Sequence, residues 1–178
     1  AWGMYLAGQL DSAIVPQSEW SAACSDPLLS KELHSAALPC TYYYGFNTAK
    51  APFDETLVRK AFIAAVDRQG VIDNVLEYAQ QPALTFTPPG IFGHVDGYAE
   101  GVGIPYNRTQ AQQWLADAGY PNGQGLPPIA LSFNTSTSHQ RIAEHVQDSW
   151  YNTLGVSVTL QSLPWQDYMV LLNNGQLQ

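Results

Sequence analysis

The chain has 178 residues, enough for one domain or for one domain with part of another. Hydrophobic residues make up 46% of it and aromatic residues 12%, which excludes an intrinsically disordered protein because this content can fill a packed core. The formal net charge of −8 argues against nucleic acid and anionic membrane surfaces as partners, since both are negatively charged.

Two further features of the whole chain concern the compartment. No apolar run approaches the roughly 20 residues that span a bilayer. The two cysteines, Cys24 and Cys40, could form a disulfide in an oxidising compartment or remain two separate thiols. The sequence leaves both states open.

The first part of the chain predicts mostly short elements. Asp11–Val15 is predicted as a strand, and a polar helical piece follows from Gln17 to Cys24. Glu32–Leu38 predicts a weaker strand. Thr41–Phe46 predicts a stronger one, because aromatic residues favour the pleated conformation.

Two helices are predicted next, each with an acidic residue at its start. Asp54 is expected to cap a helix, and Asp67 is expected to cap the helix that follows. The apolar residues at helical spacing are Val58, Ala61, Phe62, Ala65 and Val66 in the first helix and Val71, Ile72, Val75 and Leu76 in the second.

From Ala79 to Tyr106 the periodicity is lost among prolines and glycines. A loop of this length within a compact domain is unusual. It is either functional or packed against the surface by its own apolar residues.

Regular patterns return after this loop. Asn107 and Gln110 predict a capping box for a helix that ends at Gly119. Ile129–Phe133 predicts a strand. Thr137 and Gln140 predict a second capping box, for a helix that ends at Gly155.

The last two predicted elements are a strand and a helix. Val156–Gln161 alternates apolar and polar residues, which indicates a half-buried strand. Pro164 suits the first turn of a helix whose stripe is Trp165, Tyr168, Met169 and Leu172. Strands alternating with helices predict an α/β layered domain.

No catalytic or metal-binding signature is present. The sequence has no nucleophile elbow, no phosphate-binding P-loop and no dinucleotide glycine pattern. His139 and His145 are six residues apart, so a helix directs them away from each other. His94 and Asp96 form only a pair in a glycine-rich loop.

The stretch Leu131–Gln140 (LSFNTSTSHQ) is a candidate ligand contact. Its strand leads into a helix N-terminus, where free N–H groups favour anionic or carbonyl ligands. In open α/β sheets such crevices usually hold the ligand. Alternatively, Asn134, Ser136 and Thr137 only cap the helix and His139 lies on the surface.

Short motifs in a consistent order extend over nearly the whole chain. They are Gly8-x-Leu10-Asp11, Cys40-Thr41 before Tyr42-Tyr43-Tyr44, Asn47, Pro52-Phe53, Val58-Arg59, Asp67-Arg68, Pro82, Thr87-Pro88-Pro89, Leu115-x-x-Ala118-Gly119, Asn134-Thr135-Ser136-x-x-His139, Leu154-Gly155-Val156 and Trp165. As a set they resemble the family 5 solute-binding proteins of ABC importers, the oligopeptide- and dipeptide-binding group.

The resemblance implies one lobe of a two-lobed, type II periplasmic-binding-protein-like fold, an α/β lobe with a mixed sheet flanked by helices. Residues 1–39 would be the tail of the first lobe and residues 40–178 a C-terminally truncated second lobe. The implied protein is a monomer without cofactor or covalent chemistry. It encloses a peptide or similar extended polar solute by hinge closure and presents it to a membrane permease. We expect it to act outside the cytoplasm, in the periplasm or at the outer face of the membrane, where a lipid anchor is one option.

Carried over position by position, the resemblance implies a set of ligand-binding residues. They are Tyr43, Gly45, Asn134, Thr135, His139, Trp165 and Met169. The spacing of Tyr43, Trp165 and Met169 would equally suit core packing.

At three positions where related binders can carry charge, this chain has Gly45, Leu76 and Leu172. Either residues in segments outside this chain bind the charged groups of the ligand, or the ligand carries little charge, as a blocked peptide or an oligosaccharide does. Two other classes remain open. One is an enzyme on the same scaffold, and the other is a sensor module whose Ala79–Tyr106 loop binds a partner protein.

Overall fold

The computed structural model describes residues 1–35, 38–76 and 80–178, without the side chain of Gln17. In chain order the elements are α1 (Trp2–Leu6), a 3₁₀ turn (Gln17–Glu19), α2 (Trp20–Ser25), α3 (Leu29–Glu32), α4 (Thr56–Ala64), α5 (Arg68–Val71) with a π-helical continuation (Ile72–Leu76), α6 (Gly97–Glu100), α7 (Arg108–Asp117), a 3₁₀ turn (Pro121–Gly123), β1 (Ile129–Asn134), α8 (Thr137–Leu154), β2 (Val158–Leu163) and α9 (Trp165–Asn173).

The sheet is a parallel pair joined by a helix. β1 runs beside β2 with Ile129 opposite Val158 and Asn134 opposite Leu163. Parallel strands need a crossover connection, and α8 supplies it. The predicted α/β class and the helix-flanked sheet are therefore confirmed.

β1 occupies the predicted positions, whereas β2 begins two residues later than predicted. The chain leaves α8 through Gly155, whose φ of 70° ends the helix in the left-handed conformation as expected. Val156 is then buried close to Gly123 in the preceding 3₁₀ turn. Val156, the first residue of the predicted strand, therefore packs against this turn, and pairing with β1 begins only at Val158.

The core lies between the sheet and helices α4, α7 and α8. Its largest fully buried side chains include Phe62, Leu115 and Leu154. Phe62 packs edge-on against Phe53, with ring centroids 5.1 Å apart, and lies 5.0 Å from the ring of Trp150. Of the apolar stripe predicted for α4, Val58, Ala61, Phe62 and Ala65 are buried and Val66 is half-buried.

The C-terminus of α4 is held by groups from two other helices. Carbonyls in the last turn of a helix lack partners within the helix. The Trp150 indole N–H donates to the carbonyl of Phe62 at 2.9 Å, and the N–H of Asn107 donates to the carbonyl of Ala64 at 2.9 Å. These bonds fix α4 against α8 and against the start of α7.

Of the four predicted helix caps, that of Asp67 is confirmed and two are wrong. Asn107 is confirmed as the N-cap of α7 but not as a capping box, because its own N–H donates to the carbonyl of Ala64 and not to Gln110. Asp67 accepts from the N–H of Gly70, and Asn107 accepts from the N–H of Gln110, both at 3.0 Å. Asp54 does not cap α4. It lies in the preceding turn, where its own N–H donates to the carbonyl of Lys50. The neighbouring Glu55 accepts from the N–H of Leu57 instead.

The cap predicted for α8 is also displaced. Ser136, and not Thr137, is the N-cap residue, and its hydroxyl contacts Ser138 Oγ at 3.0 Å. Thr137 is already the first helical residue. The predicted capping box at Thr137 and Gln140 is therefore wrong, because the N-cap residue is Ser136, no side chain caps the helix, and the Gln140 amide donates to Glu144.

The two weak strands predicted near the N-terminus are not formed. Asp11–Val15 has no regular structure, and the Glu32–Leu38 prediction overlaps the end of α3, although positions 36–37 of it lie outside the described residues. A strand forms only where a neighbouring strand satisfies its backbone, and propensity alone does not supply one.

The prediction of a strong strand at Thr41–Phe46 is also wrong. No ladder forms there, although Tyr44, Gly45 and Phe46 line a narrow cavity beside β1. The side chain of Gln178 occupies this edge of β1 and accepts from the N–H of Ala130 at 2.9 Å. An added strand would need that same donor.

The chain near residue 178 is held in place by two side chains. The Asn47 amide donates to the carbonyls of Gly175 and Leu177 at 3.1 and 2.8 Å. The Lys50 ammonium donates to the carbonyl of Gln176 at 2.7 Å. These contacts place Gln178 beside β1.

The described part of the proline- and glycine-rich loop, residues 80–106, is folded by short contacts. Thr85 Oγ1 donates to the carbonyl of Val95 at 2.7 Å, and the ring of His94 contacts the carbonyl of Thr87 at 2.7 Å. Asp96 caps α6. Both residues weighed as metal ligands therefore hold the loop backbone.

The structure also describes the two cysteines and the apolar character of the helices. Both cysteines are exposed free thiols. Within the described ranges, no helix combines the length and the apolar character that a membrane span requires.

Candidate functional site

The candidate site lies where both strands end and the next helices begin. β1 and β2 end opposite each other, at Asn134 and Leu163. The N–H of Thr135 extends the ladder by donating to the carbonyl of Leu163 at 2.8 Å. Parallel pairing therefore brings the first turns of α8 and α9 to one edge of the sheet. His139 and Trp165 lie in these two first turns.

The tyrosine run, Tyr42–Tyr44, lies beside this edge of the sheet. Its side chains point to two different sides of the chain. The rings of Tyr42 and Tyr44 meet at 5.6 Å in a T-shaped pair, and their hydroxyls are 3.3 Å apart. Tyr43 instead packs against Phe86 at 5.0 Å, also edge-on. Side chains two residues apart thus share a side, and the middle one points away.

One ring contact connects the run to the start of α8, and a separate pair of rings lies in the first turn of α9. Tyr42 lies 5.3 Å from the ring of His139 on α8. On α9, Trp165 stacks on Tyr168 at 6.1 Å. We call Tyr42, Tyr43, Tyr44, Phe86, His139, Trp165 and Tyr168 the aromatic face.

Phe86 reaches this site although it belongs to the proline- and glycine-rich loop. Thr41 Oγ1 donates to the carbonyl of Phe86 at 2.8 Å and ties the loop to the residue before the tyrosine run. The loop therefore contributes a ring to the aromatic face.

Partial burial favours the neutral form of three tyrosines of the aromatic face, Tyr42, Tyr44 and Tyr168. Burial raises the pKa of Tyr44 far above its ordinary value, and the hydrogen bond with Tyr42 raises it further. Burial also raises the pKa of Tyr42, against the opposing effect of that bond. It raises the pKa of Tyr168 too, with a smaller contribution from the nearby Tyr43. These rings offer hydroxyls and apolar faces rather than charge.

The model of the bacterial extracellular solute-binding proteins, family 5 middle region, matches residues 1–178. The oligopeptide-binding protein OppA of Bacillus subtilis is 34% identical over 179 residues, covering 98% of this chain and 33% of that protein. The dipeptide-binding protein DppE of B. subtilis is 35% identical over 176 residues, covering 93% of this chain and 31% of that protein.

A solved structure agrees in fold. The murein tripeptide binding protein MppA of Escherichia coli superposes with a TM-score of 0.79 at 31% identity, over 99% of this chain and 35% of that one.

The chain belongs to the family 5 extracellular solute-binding proteins. It spans about a third of the length of the relatives that it matches. The resemblance of its motifs to this family is therefore confirmed.

The structure of this family 5 chain brings four of the predicted residues to the sheet edge. Tyr43 and Trp165 are exposed on the aromatic face. Thr135 Oγ1 lies 3.0 Å from Ser162 Oγ across the strand ends. His139 Nδ1 lies 3.3 Å from the carbonyl of Asn134, the last residue of β1.

The remaining predicted residues are less directly placed. Asn134 and Met169 are half-buried, and Met169 lies one turn after Trp165 on α9. Gly45 is exposed, and a Cβ added there would meet nothing within 4 Å. As ligand contacts, all seven residues remain predictions.

Sequence reasoning left three members of the aromatic face unassigned to the site: Tyr42, Phe86 and Tyr168. A signal was available for Tyr42, because residues on either side of Tyr43 must share the opposite side of the chain. Phe86 had no such signal. Only the tertiary contact between its loop and Thr41 brings it to the sheet edge.

The positions that are neutral in this family 5 chain lie in different settings. Leu76 packs partly against the core, whereas Leu172 is exposed on α9. Gly45 directly follows the tyrosine run. Gly45 is thus the neutral position closest to the aromatic face along the chain.

His145 has different surroundings from His139, as the helical spacing predicts. It lines a polar cleft of about 280 Å³ together with Asp67, Arg108 and Asp148. Among the described residues, no three His, Cys, Asp or Glu side chains are grouped so that they could hold a metal ion.

Proposed function

We propose that the protein is the extracytoplasmic binding component of an ABC importer. It captures a peptide or a similar extended polar solute and delivers it to a membrane permease. The observation that carries this proposal is the match of the whole chain to family 5 together with relatives named for oligopeptide and dipeptide binding.

The position of the aromatic face supports this function. It lies at the carboxyl end of parallel strands, where α/β proteins usually bind ligands. The first turn of α8 is at the same place, with N–H groups suited to peptide carbonyls. Tyr43, Asn134, His139 and Trp165 are the proposed contacts.

Residues 1–39 are proposed to belong to the first lobe and residues 40–178 to the second. The short helices of the N-terminal region contact one another, and Tyr5 Oη donates to the carboxylate of Glu32. Large apolar side chains there, Ile14, Leu28 and Leu38, are exposed. This supports a segment whose packing partner lies elsewhere in a larger protein.

The proposed work is binding by a monomer, with domain closure and no covalent step. Membership of a family of binding proteins supports this assignment. Two of the four histidines also contact the backbone: His139 contacts the carbonyl of Asn134, and His94 contacts that of Thr87.

The test is calorimetry on the full-length protein with a peptide mixture, followed by native mass spectrometry of the bound species. We expect peptide binding that falls in His139→Ala, because the ring lies within the aromatic face. Tyr151→Ala, at an exposed site near the far end of α8, is the matched control. Failure to bind any peptide, with an oligosaccharide bound instead, would refute peptide capture.

A second candidate function is supported by one observation. Phe92 is fully exposed in the glycine-flanked tip of the residue 80–106 loop, with Ile91 and Val95 also exposed. A folded loop that displays apolar residues suits contact with a partner protein. If Phe92→Ser leaves peptide affinity unchanged but lowers peptide uptake by cells, the loop contacts a component of the importer.

A further inference from the structure

The polar cleft lined by His145 lies away from the strand ends. His145 follows His139 by six residues, which is a rise of about 9 Å along α8. The other lining residues come from the starts of α5 and α7 and from the second half of α8. The cleft is therefore separate from the aromatic face, and the proposed function gives it no role.

A glycine brings the carboxylate of Asp67 close to the ring of His145. A Cβ added to Gly70 would lie 2.9 Å from Asp67 Oδ2 and 3.4 Å from His145 Nε2. Both atoms thus border the same small volume, which a side chain at residue 70 would fill. Asp67 Oδ1 accepts the N–H of Gly70 in the cap of α5, and this leaves Oδ2 available to the cleft.

Two side chains of the cleft are unpaired. Within residues 1–35, 38–76 and 80–178, neither the half-buried ring of His145 nor the carboxylate of Asp148 makes a hydrogen bond. The Ser149 hydroxyl donates to the carbonyl of His145 at 2.8 Å and not to its ring. Asp148 is three residues after His145, so the two side chains are neighbours on α8.

The cleft carries a negative charge while His145 is neutral. Its described lining contains two carboxylates, Asp67 and Asp148, and one permanent cation, Arg108. The Arg108 guanidinium donates to the carbonyl of Asn152 at 3.0 Å, near the end of α8. A proton on His145 would supply the second positive charge and balance the two carboxylates.

The other charged side chains on the elements packed against α8 do not line the cleft. They are Arg59 and Lys60 of α4, Arg68 of α5, Asp73 of its π-helical continuation, Asp117 of α7, and Arg141 and Glu144 of α8 itself. β1 and β2 contain no charged residue. The titratable and charged groups that share the cleft with His145 are therefore Asp67, Asp148, Arg108 and Tyr106.

We propose that His145 is an acid-responsive latch between α5 and α8. The protonated ring pairs with the carboxylates of Asp67 and Asp148 and fastens the start of α5 to α8, whereas the neutral ring releases them. A histidine in an unfolded chain takes up its proton near pH 6.5. Because the carboxylates hold this proton in the folded protein, the stabilisation is present below about pH 6.5 and is lost as the pH rises above it.

The first test is NMR on the full-length protein with ¹³C-labelled histidine, in which the resonance missing from His145→Gln identifies the ring. We expect the pH of half-protonation to fall by about 0.5 in Asp67→Asn, which removes the charge but keeps a good N-cap. Asp148→Asn should lower it as well. Asp117→Asn, which removes a carboxylate of α7 outside the cleft, is the matched control and should leave it unchanged.

The second test is hydrogen exchange over residues 67–76 of the full-length protein, corrected for the intrinsic effect of pH. Exchange should slow at least about threefold from pH 8 to pH 5.5, and by less in His145→Gln. An equal pH of half-protonation in the unaltered protein, Asp67→Asn and Asp148→Asn would overturn the latch. An equal shift in Asp117→Asn, or the same exchange ratio in His145→Gln, would also overturn it. Peptide binding by calorimetry tests the proposed function separately.

Discussion

Asp67 and Arg59 belong to the family motif but have structural partners. Asp67 caps the turn that starts α5 through the N–H of Gly70. The Arg59 guanidinium donates to the carbonyls of Phe53 and Asp54 at 2.7 and 3.0 Å. These contacts fix the turn before α4 and the start of α5.

We expect Asp67→Ala to lower the free energy of unfolding by about 0.5–2 kcal/mol, because a lost N-cap leaves a helix N–H unsatisfied. Urea denaturation checks this. Asp117→Ala is the control, since its exposed contact with Gln113 within α7 contributes only about 0.2–0.5 kcal/mol. Unchanged stability together with lost ligand binding would contradict the structural assignment.

The tyrosine run predicts a loss of stability at high pH. Burial raises the pKa of Tyr44 in the folded state, so the unfolded chain releases this proton first as pH rises. The stabilisation is complete below the unfolded value of about 10 and is lost above it. We expect the urea midpoint to fall above about pH 10. The fall should be smaller in Tyr44→Phe than in the control Tyr151→Phe.

Gly45 is a position at which a charged side chain could be introduced to favour a charged ligand. The site has space for a side chain and directly follows the tyrosine run. A carboxylate there should favour a free peptide N-terminus by about 1 kcal/mol, roughly fivefold in affinity relative to the acetylated peptide. Calorimetry on Gly45→Asp of the full-length protein measures this ratio.

The control for Gly45→Asp is Gly3→Asp, which changes the net charge equally at an open site in α1. An equal change of the ratio in both variants would show a general charge effect. No change in Gly45→Asp would place the ligand N-terminus away from residue 45.

At the scale of elements, α4 is positioned by its C-terminal carbonyls as well as by its apolar face. Trp150 contributes both a ring packed on Phe62 and an N–H to the Phe62 carbonyl. Because this carbonyl lies in the last turn of α4, no N–H of the same helix takes over when Trp150 is changed.

We expect Trp150→Phe to destabilise the fold by about 1–3 kcal/mol, from the unpaired buried carbonyl, with an added loss from the smaller ring. Thermal and urea unfolding measure it. Tyr151→Phe at the next, exposed position should change stability by less than about 0.5 kcal/mol. Equal effects at both sites would mean that the bond contributes nothing.

At the scale of the molecule, the aromatic face is open and covers only one side of a ligand. Tight binding usually requires most of a ligand surface to be enclosed. We therefore expect residues 1–178 alone to bind peptides at least about a hundredfold more weakly than the full-length protein, a loss near 2.7 kcal/mol. Calorimetry on both proteins decides this, and micromolar binding by residues 1–178 alone would contradict it.

The sequence by itself determined the elements whose signal is local. The spacing of Val58, Ala61 and Phe62 fixed α4, and Gly155 fixed the end of α8, because helix periodicity and left-handed glycines act within a few residues. The family motifs also identified the α/β class and the relatives.

The tertiary structure decided what depends on distant partners. Thr41–Phe46 has the composition of a strand but forms no ladder, and the Ala130 N–H of β1 donates to the side chain of Gln178 instead. Phe86 joins the aromatic face only through the bond from Thr41. Strand pairing and ring clusters connect residues far apart in the chain, so local propensity cannot specify them, and their partners become visible only once the chain is folded.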